Sequence, residues 1–203
     1  MGGMGHGQLD EQMRFVAEAG KLKGVLRQTR LTGPPRRENS AEHSWHLAVM
    51  ALALSEHAPP GTDTGRVVAM LLVHDLVEID AGDLSVWAAP EQQDGQEAAE
   101  RAAADRIFAL LPAEQGAALR ALWDEFEERR TAEARFARAL DRLQPMLANV
   151  ADGGGTWARQ QITADRVLAK VALIEDGSAA LGHYARELVA RAVSDGILAP
   201  APG

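Results

Sequence analysis

From Asp10 to Ser194 the chain offers no run of β-branched residues bounded by turn residues, while Ala, Leu, Glu and Arg dominate throughout. Strands draw on Val, Ile, Thr and aromatics at a period of two, so a chain without such runs is confined to helix packing. The fold class this predicts is all-α. At 203 residues the chain matches one domain and is long enough to bury a core without covalent staples. It has no cysteine, which excludes a disulfide scaffold, a thiolate metal site and a cysteine nucleophile.

Punctuation residues divide the chain. Residues 1–8 are Gly-rich and are expected to be disordered, with a bundle over 9–197 and a short tail over 198–203. Apolar spacing predicts a first helix over Asp10–Arg30, followed by a loop over Leu31–Arg37. Asn39 and Glu42 form a capping-box signature for a helix reaching His57, stopped by Pro59-Pro60-Gly61. A third helix starts at Asp63 and is apolar almost all round, which predicts a central, buried position. It ends near Asp80-Ala81, with Gly82 suited to follow a helix end. After a loop over 83–90, helices are predicted over Pro90–Leu111, Ala113–Arg129, Ala132–Val150, Thr163–Asp176 and Ser178–Ser194, with a flexible break at Asp152–Gly155.

Charge narrows the partners. With 21 basic and 29 acidic side chains the net charge is −8, which is unsuited to a nucleic-acid duplex, whose phosphates require clustered Lys and Arg. The longest apolar run, Leu47–Leu54, has eight residues, against about 20 needed to span a bilayer. The start of the chain lacks the apolar core of a secretory signal. The expectation is a soluble, cytoplasmic protein with no membrane partner.

The residues that can do chemistry interrupt apolar helices. His74, Asp75 and Glu78 follow Leu71-Leu72-Val73 directly, and at spacings of three and four they share a helix face. A His-Asp pair alone is the polar end of a surfacing helix. His43 in the preceding helix and Asp141, set among the apolar positions of Phe136–Leu147, make a stronger case. Each is costly to bury alone, and one divalent cation would satisfy His43, His74, Asp75 and Asp141 together. Two imidazoles and two carboxylates suit Mn, Co, Fe, Ni or Zn.

The order His43, His74-Asp75, Asp141 resembles the H…HD…D signature of the HD-domain metal-dependent phosphohydrolases. Arg36–Ser44, His74–Leu84 and Glu133–Asp141 further resemble the corresponding segments of the 5′-deoxynucleotidase branch. The resemblance implies an HD-domain helical bundle, one metal held by His43, His74, Asp75 and Asp141, a small phosphorylated substrate (a nucleotide), and a homodimer. The helices after residue 90 are available for that dimer. Glu78 and Asp83 match the acidic residues that handle the attacking water and leaving group. Arg36 and Arg37 could supply positive charge for phosphate. The nucleotidases also carry an Arg-Trp pair after the first helix. Here the region reads Leu26-Arg27-Gln28-Thr29-Arg30 without a Trp, and Arg30 or Arg27 could stand for the Arg. The missing Trp weakens any expected preference for deoxyribose.

Two-metal relatives need extra histidines between the His-Asp pair and the final Asp, and none lies between 75 and 141. His46 is a weaker ligand candidate, His57 suits a helix C-terminus, His183 suits the surface, and His6 lies in the disordered start. Trp45, Trp87, Trp123 and Trp157 are read as core anchors, with Trp87 placed to border the site. The function this implies is release of phosphate from nucleoside 5′-monophosphates. Two alternatives stand beside it: a hydrolase of another small phosphate ester or a nucleoside triphosphate, and a catalytically silent binding module.

Overall fold

A computed structural model describes residues 4–31, 33 and 36–202. Helix α1 spans Met4–Ala19, so it starts inside the segment expected to be disordered. A 3₁₀ turn over Gly20–Gly24 follows, and then strand β1 (Leu26–Arg30) pairs antiparallel with β2 (Arg37–Asn39). The first helix therefore ends about ten residues earlier than the apolar spacing predicts. Arg27 and Thr29 face inward on β1 and Leu26, Gln28 and Arg30 outward, the alternation of a strand.

Helix α2 (Ser40–Ala53) begins with the expected capping box: the Glu42 N–H donates to Asn39 Oδ1 at 3.0 Å and Glu42 Oε2 accepts from the Asn39 N–H at 3.1 Å. Asp63 caps α3 (Thr64–Val73). The expected single helix over 63–80 is interrupted: His74–Val77 is a 3₁₀ turn and Glu78–Ala81 a short helix, α4, closed by Gly82 at φ 74°. The remaining helices are α5 (Pro90–Phe108), α6 (Ala113–Glu128), α7 (Ala132–Ala151), α8 (Gly155–Arg159), α9 (Ala164–Gly177) and α10 (Ala179–Ser194). Helix α8 occupies the end of the expected flexible break.

The central helix is α7, not α3. It packs against α2, α3, α6, α9 and α10, and Phe136, Ala137, Ala139, Leu140 and Leu143 are buried along it. Leu72 on α3, by contrast, is half exposed. Gly177 lets α9 lie close to α7, since a Cβ there would stand 2.2 Å from the Arg135 carbonyl oxygen. The start of the expected tail is docked: Leu198 is buried, and the Ala164 N–H donates to the Ala199 carbonyl at 2.9 Å. Of the tryptophans, Trp123 and Trp157 are core residues and Trp87 is half-buried, but Trp45 is 64% exposed. Among the described residues no helix is long and apolar enough to cross a membrane.

Two apolar clusters result. The larger joins α2, α3, α7, α9 and α10; the smaller joins the 3₁₀ turn at His74–Val77 to α5 and α6. The candidate ligands His43 and Asp141 lie on helices of the larger cluster, and His74 and Asp75 on the turn of the smaller one.

Candidate metal centre and its surroundings

Three elements bring the candidate ligands together: α2 carries His43, the 3₁₀ turn carries His74 and Asp75, and α7 carries Asp141. All four are buried. One donor atom each from His43, His74 and Asp141 falls within 4.8 Å of the others. His43 Nε2 is 3.1 Å from Asp141 Oδ1, and His74 Nε2 is 2.9 Å from Asp75 Oδ1 and 4.0 Å from Asp141 Oδ1. The break at Val73 matters because the 3₁₀ turn sets His74 and Asp75 side by side, with Glu78 opening the next helical turn. On α7, Pro145 has no N–H to donate to the Asp141 carbonyl, which loosens the turn that carries the ligand.

The hydrogen bonds fix which ring nitrogens face the centre. His74 Nδ1 lies 2.9 Å from the Leu71 carbonyl oxygen, which can only accept, so Nδ1 carries the proton. Gln144 Nε2 donates to Glu38 Oε1 at 2.9 Å, which leaves Gln144 Oε1 to accept from His43 Nδ1 at 3.1 Å. Both Nε2 lone pairs are thereby turned toward carboxylate oxygens. His74 Nε2 is buried without a hydrogen-bond partner. Lone pairs facing carboxylates at these distances repel unless a cation lies between them, and a partner on the far ring nitrogen is the usual support of a metal-ligating histidine. The residues present fit a divalent ion.

The electrostatics of the site agree. Burial and the Arg27 charge push the His43 imidazole down to about 4, so it is neutral at neutral pH. Burial opposes a proton on His74, but Asp75 and Asp141 outweigh it and raise its pKa, so the site draws in positive charge. Burial raises Glu78 well above the ordinary carboxylate range, with Asp75 adding to the shift. Burial likewise raises Asp83 and takes Glu38 up to about 7.

Glu78 accepts a hydrogen bond from Ser40 Oγ at 2.5 Å. Arg27 occupies the middle of this acidic group, its guanidinium 3.1 Å from Asp75, 3.6 Å from Asp83, 3.7 Å from Glu38 and 3.8 Å from Glu78. Of the four arginines named from sequence, Arg27 is thus in the site and the other three stand elsewhere. Arg36 makes a two-pronged pair with Glu42, Arg37 donates to the carbonyls of Arg27 and Leu26, and Arg30 is exposed. None of them lines the cleft that opens onto His74, Asp75, Glu78 and Asp141; Arg27, Arg138 and Arg142 do. Arg27 would have been distinguished from Arg30 by reading the segment at a period of two. Gln144, Glu38 and Ser40 carried no separate signal, since each is one polar residue on an otherwise ordinary helix or strand.

Buried imidazoles and carboxylates whose donor atoms converge, with a carboxyl of raised pKa and an arginine beside them, suit a metal-dependent hydrolase built in a helical bundle. The model of the HD domain matches residues 19–181, and the chain belongs to that family; it is an HD-domain phosphohydrolase. The human "5′-deoxynucleotidase HDDC2" is 31% identical over 148 residues, covering 70% of this chain and 68% of its own length. The Xenopus laevis protein of the same name is 32% identical, covering 66% of each chain. A crystal structure of a "predicted metal-dependent phosphohydrolase" from Magnetospirillum magnetotacticum superposes with a TM-score of 0.93 at 52% identity, over 98% of this chain and all of that one. A Pyrococcus furiosus protein at 21% identity and a TM-score of 0.65 shares the fold, over 88% of this chain and 99% of its own.

Proposed function

We propose that this phosphohydrolase releases inorganic phosphate from nucleoside 5′-monophosphates, with His43, His74, Asp75 and Asp141 holding one divalent ion. The observation that carries the reading is the pair of Nε2 lone pairs aimed at carboxylate oxygens, each fixed by a partner on the opposite ring nitrogen. A bound divalent ion supplies Lewis-acid charge to a phosphoryl oxygen and acidifies the attacking water. The protein's own residues do the rest. Arg27 is locked by four carboxylates and presents a fixed positive charge to the phosphate, and Arg138 and Arg142 extend that charge along the cleft. Glu78 holds or delivers a proton at Oε1 while Ser40 fixes Oε2. Asp83 orients Arg27 and shares the proton traffic with Glu78. The names of the curated relatives support a nucleotide substrate.

The reading is tested by loading the protein with Mn, Co, Fe, Ni or Zn and measuring phosphate release from deoxy- and ribonucleoside 5′-monophosphates, nucleoside triphosphates and sugar phosphates. Activity concentrated on the 5′-monophosphates is expected. Gln28 follows Arg27 where the nucleotidases carry Trp, so the deoxy over ribo ratio of kcat/KM should stay below about 100, or roughly 2.7 kcal/mol. Hydrolysis of other esters with none of the 5′-monophosphates would overturn the nucleotide reading. The homodimer implied by the family resemblance we place on α2, where Trp45, Val49 and Leu52 form an exposed stripe, rather than on the helices after residue 90. Light scattering of Trp45→Glu should report a monomer.

A further inference from the structure

A second cavity adjoins the metal cleft and shares Arg27, Asp83, Leu84 and Arg142 with it. Its far side is built from Trp87, Met146, Trp157 and Lys170, on the loop after α4 and on α7, α8 and α9. A group attached to a phosphate at the metal cleft would have this cavity beside it.

Its far end is positively charged in a chain whose net charge is −8. Lys170 Nζ lies 6.0 Å from the centre of the Trp87 ring and the Arg166 guanidinium 5.4 Å from it. Among the described residues no carboxylate comes within 4 Å of either cation, whereas Arg142 has Asp141 at 3.7 Å. Partial burial lowers the pKa of Lys170, and Arg142, Arg138 and Arg166 lower it further. Lys170 and Arg166 stand near one another without a counter-charge among the described residues, at a cost that an anion placed beside Lys170 would remove. Packing against Trp87 holds Lys170 at the cavity lining, where Arg142 also stands. A slot lined by Trp87, Met146 and Trp157 and carrying the unpaired Lys170 is matched by a planar ring with an acidic group.

We infer that this cavity is a second-anion subsite: Lys170, with Arg142, binds a carboxylate or phosphate on the part of the substrate remote from the scissile phosphate. The inference rests on the phosphohydrolase reading only in placing the scissile phosphate at the metal cleft. It adds that, among phosphomonoesters held at that cleft, one whose ring bears a further acidic substituent binds more tightly than its counterpart without it.

Non-hydrolysable phosphonates test the subsite without recourse to turnover. Isothermal titration of the metal-loaded protein would compare phenylphosphonate with 4-phosphonobenzoate, and with a homologue whose carboxylate stands two methylenes further out. At least one carboxylated ligand is expected to bind tenfold or more tightly than phenylphosphonate. Lys170→Met should abolish that advantage, and Lys170→Arg should restore most of it. Equal affinities for all three ligands in the parent protein would overturn the inference, as would an advantage that survives Lys170→Met. Because these are binding measurements, they stand apart from the nucleotide screen. Failure to hydrolyse 5′-monophosphates removes the nucleotide reading, whereas loss of the carboxylate advantage removes the subsite.

Discussion

Gln144 bears more on the metal than its distance from the catalytic chemistry implies. It is buried, it accepts from His43 Nδ1 at 3.1 Å and it donates to Glu38 Oε1 at 2.9 Å. Gln144→Leu keeps the volume and removes both partners. The Nδ1–H of His43 is left unsatisfied, and so is one oxygen of Glu38, whose other oxygen already lacks a partner. At about 1–3 kcal/mol for each of the two buried groups left unpaired, the metal-free protein should lose roughly 2–6 kcal/mol. Without the acceptor, His43 no longer favours the tautomer that turns a lone pair toward Asp141. Metal affinity should fall about 10–100-fold, the usual cost of losing such a partner. Chelator competition measures the affinity, and urea denaturation with and without metal measures the stability. Gln144→Glu separates the two effects. It keeps an acceptor for His43 but sets a carboxylate against Glu38, so stability should fall while metal affinity stays closer to the parent. If Gln144→Leu binds metal as the parent does, the tautomer argument is wrong.

Glu78→Ala should retain the metal and the fold while kcat falls about 100-fold or more; loss of metal on elemental analysis would make Glu78 a ligand instead. Asp141→Ala should lose metal and stability together, because metal binding is coupled to folding, and a melting temperature that still rises on metal addition would contradict this. In the metal-free protein, Glu38 is raised from its ordinary value to about 7 by burial. Its contribution to stability is therefore complete below pH about 4.5 and is lost as the pH rises through about 7. Glu38→Gln should accordingly gain stability on the parent between pH 5 and pH 8 in urea titrations, and a difference that does not change with pH would exclude this assignment.

The helical class, the capping box at Asn39 and the bounds of α6, α7 and α10 were legible because each rests on local chemistry: apolar spacing, a cap, or a Gly or Pro stop. His43, His74 and Asp141 were legible for another reason. A buried titratable group needs a partner, and three of them on apolar helices need the same one. The strand Leu26–Arg30 was not legible. Val25 and Leu26 continue the helical spacing of Phe15, Ala19 and Leu22, and only pairing with residues 37–39 makes the segment extended. That misreading carried over to the site. A helix would have left Arg27 and Arg30 as near-equivalent neighbours, three residues apart on one face, whereas the strand sends Arg27 to Asp75 and Arg30 to the surface.

The 3₁₀ turn at His74–Val77 shows why the rest of the site resists a reading from sequence. The spacing of 74, 75 and 78 matches an α-helix and a 3₁₀ turn almost equally well, since both bring residues three apart together. What decides between them is tertiary. Val73, Leu76 and Val77 are all buried in the smaller cluster, while Leu71 belongs to the larger one. Val73, Leu76 and Val77 stand three and four apart and would share one face in a continuous α-helix as well, so apolar spacing leaves no mark where the α-helix gives way. In the folded chain the turn packs these residues into the smaller cluster and carries His74 and Asp75 at the seam, with Glu78 opening α4. Glu38 and Gln144 reach that seam from a strand and from α7, 106 residues apart in sequence, so their pairing has no trace in the local pattern of either segment.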